Sequence, residues 1–151
     1  MYWGSTVTDQ IKASHVGLCV SDLETSLRFY CDGLGFSKDE GFPIDNTFAD
    51  ALEVPKDVDC TSQFIRKEGM GVELLYYRSP GVDGQPSQRR NQLGLTHLSF
   101  YVPDVAGVAA KLVELGGTVI DSTRTAAPGI ELLFVAGPDG ERVELMKATE
   151  Q

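Results

Sequence analysis

The sequence predicts an α+β fold built from two copies of one unit, each opening on a strand that carries a histidine and closing on a strand that carries a glutamate. Three observations carry this reading. The chain has 2 histidines, and each heads an apolar run of strand character: Ser14-His15-Val16-Gly17-Leu18-Cys19-Val20 and Thr96-His97-Leu98-Ser99-Phe100-Tyr101-Val102. Each run leads to an aspartate, Asp22 or Asp104, that opens a helix-like segment. Gly71-Val72-Glu73-Leu74-Leu75 and Arg142-Val143-Glu144-Leu145-Met146 then close the two halves in the same way.

Taken in order, residues 1–10 are expected to be a flexible N-terminus before one domain, 11–151, made of a first module (11–78), a linker (79–93) and a second module (94–148). In the strand 13–20, Val16, Leu18 and Val20 share one face, and His15, Gly17 and Cys19 share the other. Ser21 and Glu24 have capping-box spacing, which places a helix from Asp22 along Leu23, Leu27, Tyr30 and Leu34, ended by Gly33 and Gly35. Residues 37–59, with Pro43 and Pro55, read as irregular, with a short helix around Phe48 to Leu52. Strands follow over 60–66 and 71–77, the latter turning Val72, Leu74 and Tyr76 one way and Glu73, Leu75 and Tyr77 the other. The stretch 78–92, rich in proline and glycine, separates the modules.

The second half repeats the plan. A strand over 95–102 sets Leu98, Phe100 and Val102 against His97, Ser99 and Tyr101. A helix over 104–115, with Val105, Val108, Ala109 and Leu112 at helical spacing, stops at Gly116-Gly117. Strands begin at Val119, Ile130 and Glu141, the last following a Gly137-Pro138-Asp139-Gly140 turn and setting Glu144 and Met146 opposite Val143 and Leu145. The His-to-Glu interval is 11 residues longer in the first module, mostly within 37–59, where an insertion could act as a substrate-selecting loop or be a plain surface excursion.

A net charge of −9 argues against nucleic acid or an anionic membrane surface as partner. No apolar run is long enough for a membrane span, and the first ten residues lack the pattern of a signal peptide. Cys19, Cys31 and Cys60, an odd number without CxxC spacing, favour a reducing cytoplasm. The basic doublet Arg89-Arg90 reads as part of a solvated loop, the alternative being a clamp for a phosphate or carboxylate on a small ligand.

His15, Glu73, His97 and Glu144 each stand on the strand face opposite the apolar set. If the modules pack about a pseudo-twofold axis, two imidazoles and two carboxylates converge on one cavity. Ionised carboxylates crowded there are costly unless a divalent cation accepts them as ligands. For each residue alone a hydrogen-bonded histidine or a solvated glutamate is the simpler account; the doubled pattern favours the set of four.

These features, together with Phe29-Tyr30, Gly33-Leu34-Gly35-Phe36, the Gly-Pro-Asp-Gly turn and Val143-Glu144-Leu145, resemble the vicinal oxygen chelate superfamily over residues 13–148. That group includes glyoxalase I, methylmalonyl-CoA epimerase, extradiol dioxygenases, and fosfomycin and bleomycin resistance proteins. The resemblance implies paired βαβββ modules curled into an open, mixed β-sheet barrel with flanking helices around a divalent metal, usually in a homodimer. It maps the ligand positions onto His15, Glu73, His97 and Glu144, a set similar to that of glyoxalase I. Oxygen and nitrogen donors suit zinc, nickel, cobalt, manganese or iron.

The implied activity is that of an isomerase or lyase of glyoxalase I or epimerase type. The metal would chelate vicinal oxygens of a small carbonyl substrate, and Glu144 or Glu73 would move a proton through an enediolate. Tyr77, Tyr101 and Phe48 are the substrate-binding candidates. The alternatives are an iron-dependent ring-cleaving dioxygenase, which fits less well because that group uses a further histidine, and a metal-independent protein that binds a small molecule such as an antibiotic.

Overall fold

The computed structural model describes residues 6–148, so the first five positions of the expected flexible N-terminus lie outside the described residues. Val7–Gln10 form one exposed 3₁₀ turn. Two four-stranded mixed sheets follow, neither of them closed. The first contains β1 (Val16–Cys19), β2 (Ser37–Ile44), β3 (Asp59–Lys67) and β4 (Met70–Ser79). Its order is β1-β4-β3-β2, with β1 parallel to β4 and the other pairs antiparallel. β5 (Leu98–Tyr101), β6 (Thr118–Ala127), β7 (Ile130–Ala136) and β8 (Arg142–Ala148) repeat the pattern as β5-β8-β7-β6. The helices α1 (Leu23–Leu27) and α2 (Val105–Glu114) cross over between the first two strands of each module.

Three local expectations are corrected. The N-cap of α1 is Asp22, whose side chain accepts from Thr25 N–H, and not Ser21, which is drawn to the other module. The helix after Leu27 widens into a π turn, Arg28–Gly33. Phe29 and Tyr30, adjacent within that turn, are both completely buried. The stretch read as irregular contains β2, and its short helix is a 3₁₀ turn at Asn46–Phe48. β2 is an edge strand with nearly every residue exposed, so Ser-Lys-Asp-Glu-Gly-Phe-Pro-Ile carries no apolar alternation. Pro43 is tolerated there because an edge strand has one unpaired side.

One core joins the modules. Val72 and Leu74 of β4, Val143 and Leu145 of β8, and Leu133 and Val135 of β7 belong to the same buried cluster as Phe29, Tyr30, Val105, Ala109 and Leu112. An aromatic chain crosses between the halves, with ring centroids at 5.2 Å for Phe29–Tyr30, 5.9 Å for Tyr30–Phe36 and 5.8 Å for Phe36–Phe100, all edge-on. A Cβ on Gly33 would stand 2.7 Å from Leu112 Cδ2, so the residue that ends the π turn must be small for α2 to approach.

Polar contacts key the second module's turn to the first module's helix. Ser21 donates from N–H (2.9 Å) and Oγ to Asp139, and Tyr30 Oη donates to Glu141 Oε1 at 2.8 Å. Glu141 is 7% exposed, and burial raises its pKa from the ordinary 4.5 while the Tyr30 hydrogen bond lowers it. A carboxylate raised in the folded state supports stability fully below its unfolded pKa and loses that support as pH rises through the folded pKa. Removing the phenol raises the folded pKa further. Tyr30→Phe should therefore cost about 1–3 kcal/mol near neutral pH and clearly less near pH 4, where Glu141 is protonated. Urea unfolding of both proteins across that range checks this, and a pH-independent cost would contradict it.

Candidate functional site

Each sheet turns its apolar face to the shared core, and the alternation of strands then puts the histidines and glutamates on the outer faces. His15 and His97 stand immediately before β1 and β5, and both parallel pairings place a glutamate within reach. His15 Nε2 lies 3.1 Å from Glu73 Oε2, and His97 Nε2 lies 3.5 Å from Glu144 Oε2. The side chains are partly shielded, at 32% and 30% exposure for the imidazoles and 17% and 14% for the carboxylates.

The surroundings of the two pairs match. Ser14 Oγ is 2.8 Å from His15 Nδ1, and Thr96 Oγ1 is 2.7 Å from His97 Nδ1. Phe64, opposite Glu73 in the β3–β4 register, meets the His15 ring edge-on at 5.0 Å. Phe134, opposite Glu144 in the β7–β8 register, meets His97 edge-on at 5.3 Å. An arginine covers each phenylalanine, Arg66 over Phe64 at 5.8 Å and Arg90 over Phe134 at 5.7 Å. The carboxylates are held by hydroxyls: Ser62 Oγ donates to Glu73 Oε1 at 2.5 Å and Ser99 Oγ to Glu144 Oε2 at 2.7 Å. Gly71 makes room for the first pair, since a Cβ there would stand 2.6 Å from Ser14 O and 3.2 Å from His15 Cβ.

This donor set suits a borderline divalent ion. A hydroxyl can donate to Nδ1 or accept from it. When it accepts, the Nδ1 proton is held there and the Nε2 lone pair is free for a cation beside the carboxylate. The structure brings His15 to Glu73 and His97 to Glu144, but it does not bring the two pairs together in one chain. Among the described residues no group of three or more His, Cys, Asp or Glu side chains is close enough to share an ion.

Tyr77 lies on the Glu73 face of β4, where the insertion packs against it. Ala49, Val58 and Cys60 form a second small core there with Ile44, Val54, Leu75 and Tyr77 beside it. Phe48, on the same insertion, is 51% exposed, and Tyr101, on the His97 face, is 75% exposed. Phe64, Phe134, Ser14, Thr96, Ser62 and Ser99 surround the two pairs without standing out in the apolar periodicity of the chain. The doubled Ser/Thr-His dipeptide was a readable signal for two of them; the phenylalanines needed the hairpin register.

A family model for the glyoxalase/bleomycin resistance protein/dioxygenase superfamily matches residues 12–145. The chain belongs to this superfamily. It is 28% identical over 138 residues to a catechol-2,3-dioxygenase of Bacillus subtilis, covering 87% of this chain and 41% of that protein. The chain thus spans about two fifths of that dioxygenase's length. It is 25% identical over 140 residues to a probable lactoylglutathione lyase of Synechocystis, covering 91% of this chain and 95% of the relative. The solved structure of a glyoxalase-family protein from Bacillus cereus shares the fold, with a TM-score of 0.79, 14% identity and 99% coverage of both chains. Superfamily members commonly use divalent metals, bind small molecules and often dimerise, and no described helix here is long and apolar enough to cross a membrane.

Proposed function

We propose that this protein is a divalent-metal-dependent isomerase or lyase of glyoxalase type, acting as a homodimer on a small carbonyl substrate with vicinal oxygens. The matched pairs His15–Glu73 and His97–Glu144, each on an outer sheet face, carry the reading. Each is half of a four-ligand site. Two copies related by a twofold axis would bring the first module of one against the second module of the other, giving two equivalent sites per dimer. Leu93 and Leu95, at 100% and 80% exposure beside the edge strand β5, are apolar surface that a second copy would cover.

The metal would be held by His15, Glu73, His97 and Glu144. When bound it would polarise the substrate's oxygens and so acidify the adjacent C–H. Glu144 or Glu73 would take that proton and return it, because a carboxylate steadied by a serine hydroxyl can stay oriented while exchanging partners. Ser14 and Thr96 would fix the imidazole tautomers, and Phe64 and Phe134 would limit ring rotation. Tyr77, Tyr101 and Phe48 would border the substrate.

The likeness to a catechol dioxygenase favours a second reading, iron-dependent ring cleavage. This chain has 2 histidines, both assigned as ligands here, leaving none for the proton-transfer role known in that group.

Elemental analysis of untagged protein should find about one divalent ion per chain, with His97→Ala and Glu73→Gln each depleting it. Loss of all metal after reconstitution trials would overturn the proposal, and iron with consumption of oxygen and catechol would favour the second reading. Thr96→Val and Ser14→Ala should weaken ion binding by about 10–100-fold, and their unfolding free energies should stay within roughly 1 kcal/mol of wild type because neither hydroxyl is buried. Calorimetric titration with zinc or nickel, beside urea unfolding, measures both effects.

A further inference from the structure

Arg142 lies two residues before Glu144 on β8, so both side chains leave the same face of the strand, about 7 Å apart along it. Its counterpart in the first module, two residues before Glu73, is Gly71, so the repeat itself does not require a side chain there. Arg142 Nη1 donates to Gly140 O at 2.6 Å and Nη2 to Gln88 Oε1 at 3.1 Å. Arg90 Nη2 donates to Ser87 O at 2.6 Å and Nη1 to Thr96 O. The two guanidinium groups therefore bracket the adjacent residues Ser87 and Gln88, and Arg90 also covers Phe134 beside His97.

Neither guanidinium has a carboxylate partner among the described residues, in a chain carrying 22 acidic residues. The equivalent arginine of the first module, Arg66, is neutralised by Asp39. Arg142, Ser87, Thr96 and His97 line a cleft of about 640 Å³ between β1, β5 and the segment 82–87. The cleft's own acids are committed elsewhere: Asp139 to Ser21, Glu141 to Tyr30, and Asp83 to Gly84 N–H. Partial burial and, after it, the neighbouring Arg142 charge lower the Arg90 pKa. A guanidinium has five N–H donors, and each of these two commits a pair of nitrogens to neutral oxygens, with N–H groups to spare.

We infer that Arg90 and Arg142 form an oxyanion subsite, one pleat from Glu144, that binds the carboxylate or phosphate of a small ligand. That this ligand is the substrate processed at the neighbouring His97–Glu144 pair rests on the proposed function; the binding of an oxyanion does not. The subsite would give the enzyme a preference for anionic over neutral carbonyl compounds.

Titration of the full chain with inorganic phosphate and, separately, with succinate tests this, read from the arginine Nε–H resonances by NMR and from calorimetry. Saturable binding that moves the Arg90 and Arg142 signals is expected, and whichever probe binds more tightly identifies the source of the oxyanion. Arg90→Gln and Arg142→Gln should each weaken binding at least about tenfold, with Arg142→Lys intermediate because lysine lacks the planar fork. Arg89→Gln should retain binding, and because the titration needs no metal, the subsite is tested even if none is found. No saturable shift of the two signals, or equal weakening by Arg89→Gln, would overturn the inference.

Discussion

The shared apolar core governs everything else in this molecule. Because β4 and β8 both bury their Val-x-Leu positions in one cluster, Glu73 and Glu144 are forced onto outward faces by the two-residue period of a strand. The same alternation places His15 and His97 outside, together with the phenylalanines that brace them. Slipping any of these strands by one residue would bury a carboxylate and expose a leucine. Core packing and site geometry are therefore set by one register.

The halves are alike at the histidine, glutamate, phenylalanine and Nδ1 hydroxyl, and they differ where specificity would be decided. The first module carries the insertion between β2 and β3, which packs Ala49 and Val58 against Leu75 and Tyr77 on the site face. It also carries a neutralised arginine, Arg66 with Asp39. The second has Arg142 lining the cleft and Arg90 beside it over Phe134, neither with an acidic partner among the described residues. A dimer that combined one module of each kind would present an apolar, aromatic wall opposite a cationic one.

Much of this was legible in the chain itself. The doubled His and Glu strands, their inward and outward faces and the glycine stops after the helices all follow from periodicity, because each concerns residues close in sequence or repeated at equivalent positions. β2 was illegible because a solvent-exposed edge strand needs no apolar alternation. The π turn was illegible because Phe29-Tyr30 looks the same in either helix. Asp139 reads only as part of a turn and Glu141 only as the start of a strand, since their partners Ser21 and Tyr30 lie more than a hundred residues away. The repeat also left open whether equivalent faces meet or point apart. The aromatic chain from Phe29 to Phe100, which draws the apolar faces together, decides that.

The central claim is that each metal site joins the first module of one copy to the second module of another, and subunit mixing tests it most directly. His15→Ala and His97→Ala proteins should each be unable to hold the ion. After exchange into hybrid dimers, one site of the two regains His15 from one copy and His97 from the other. Metal content should then rise to about a quarter of the wild-type value per chain in an equal mixture. A mixture that stays as empty as its components would contradict the account, because a site contained within one chain cannot be repaired by exchange.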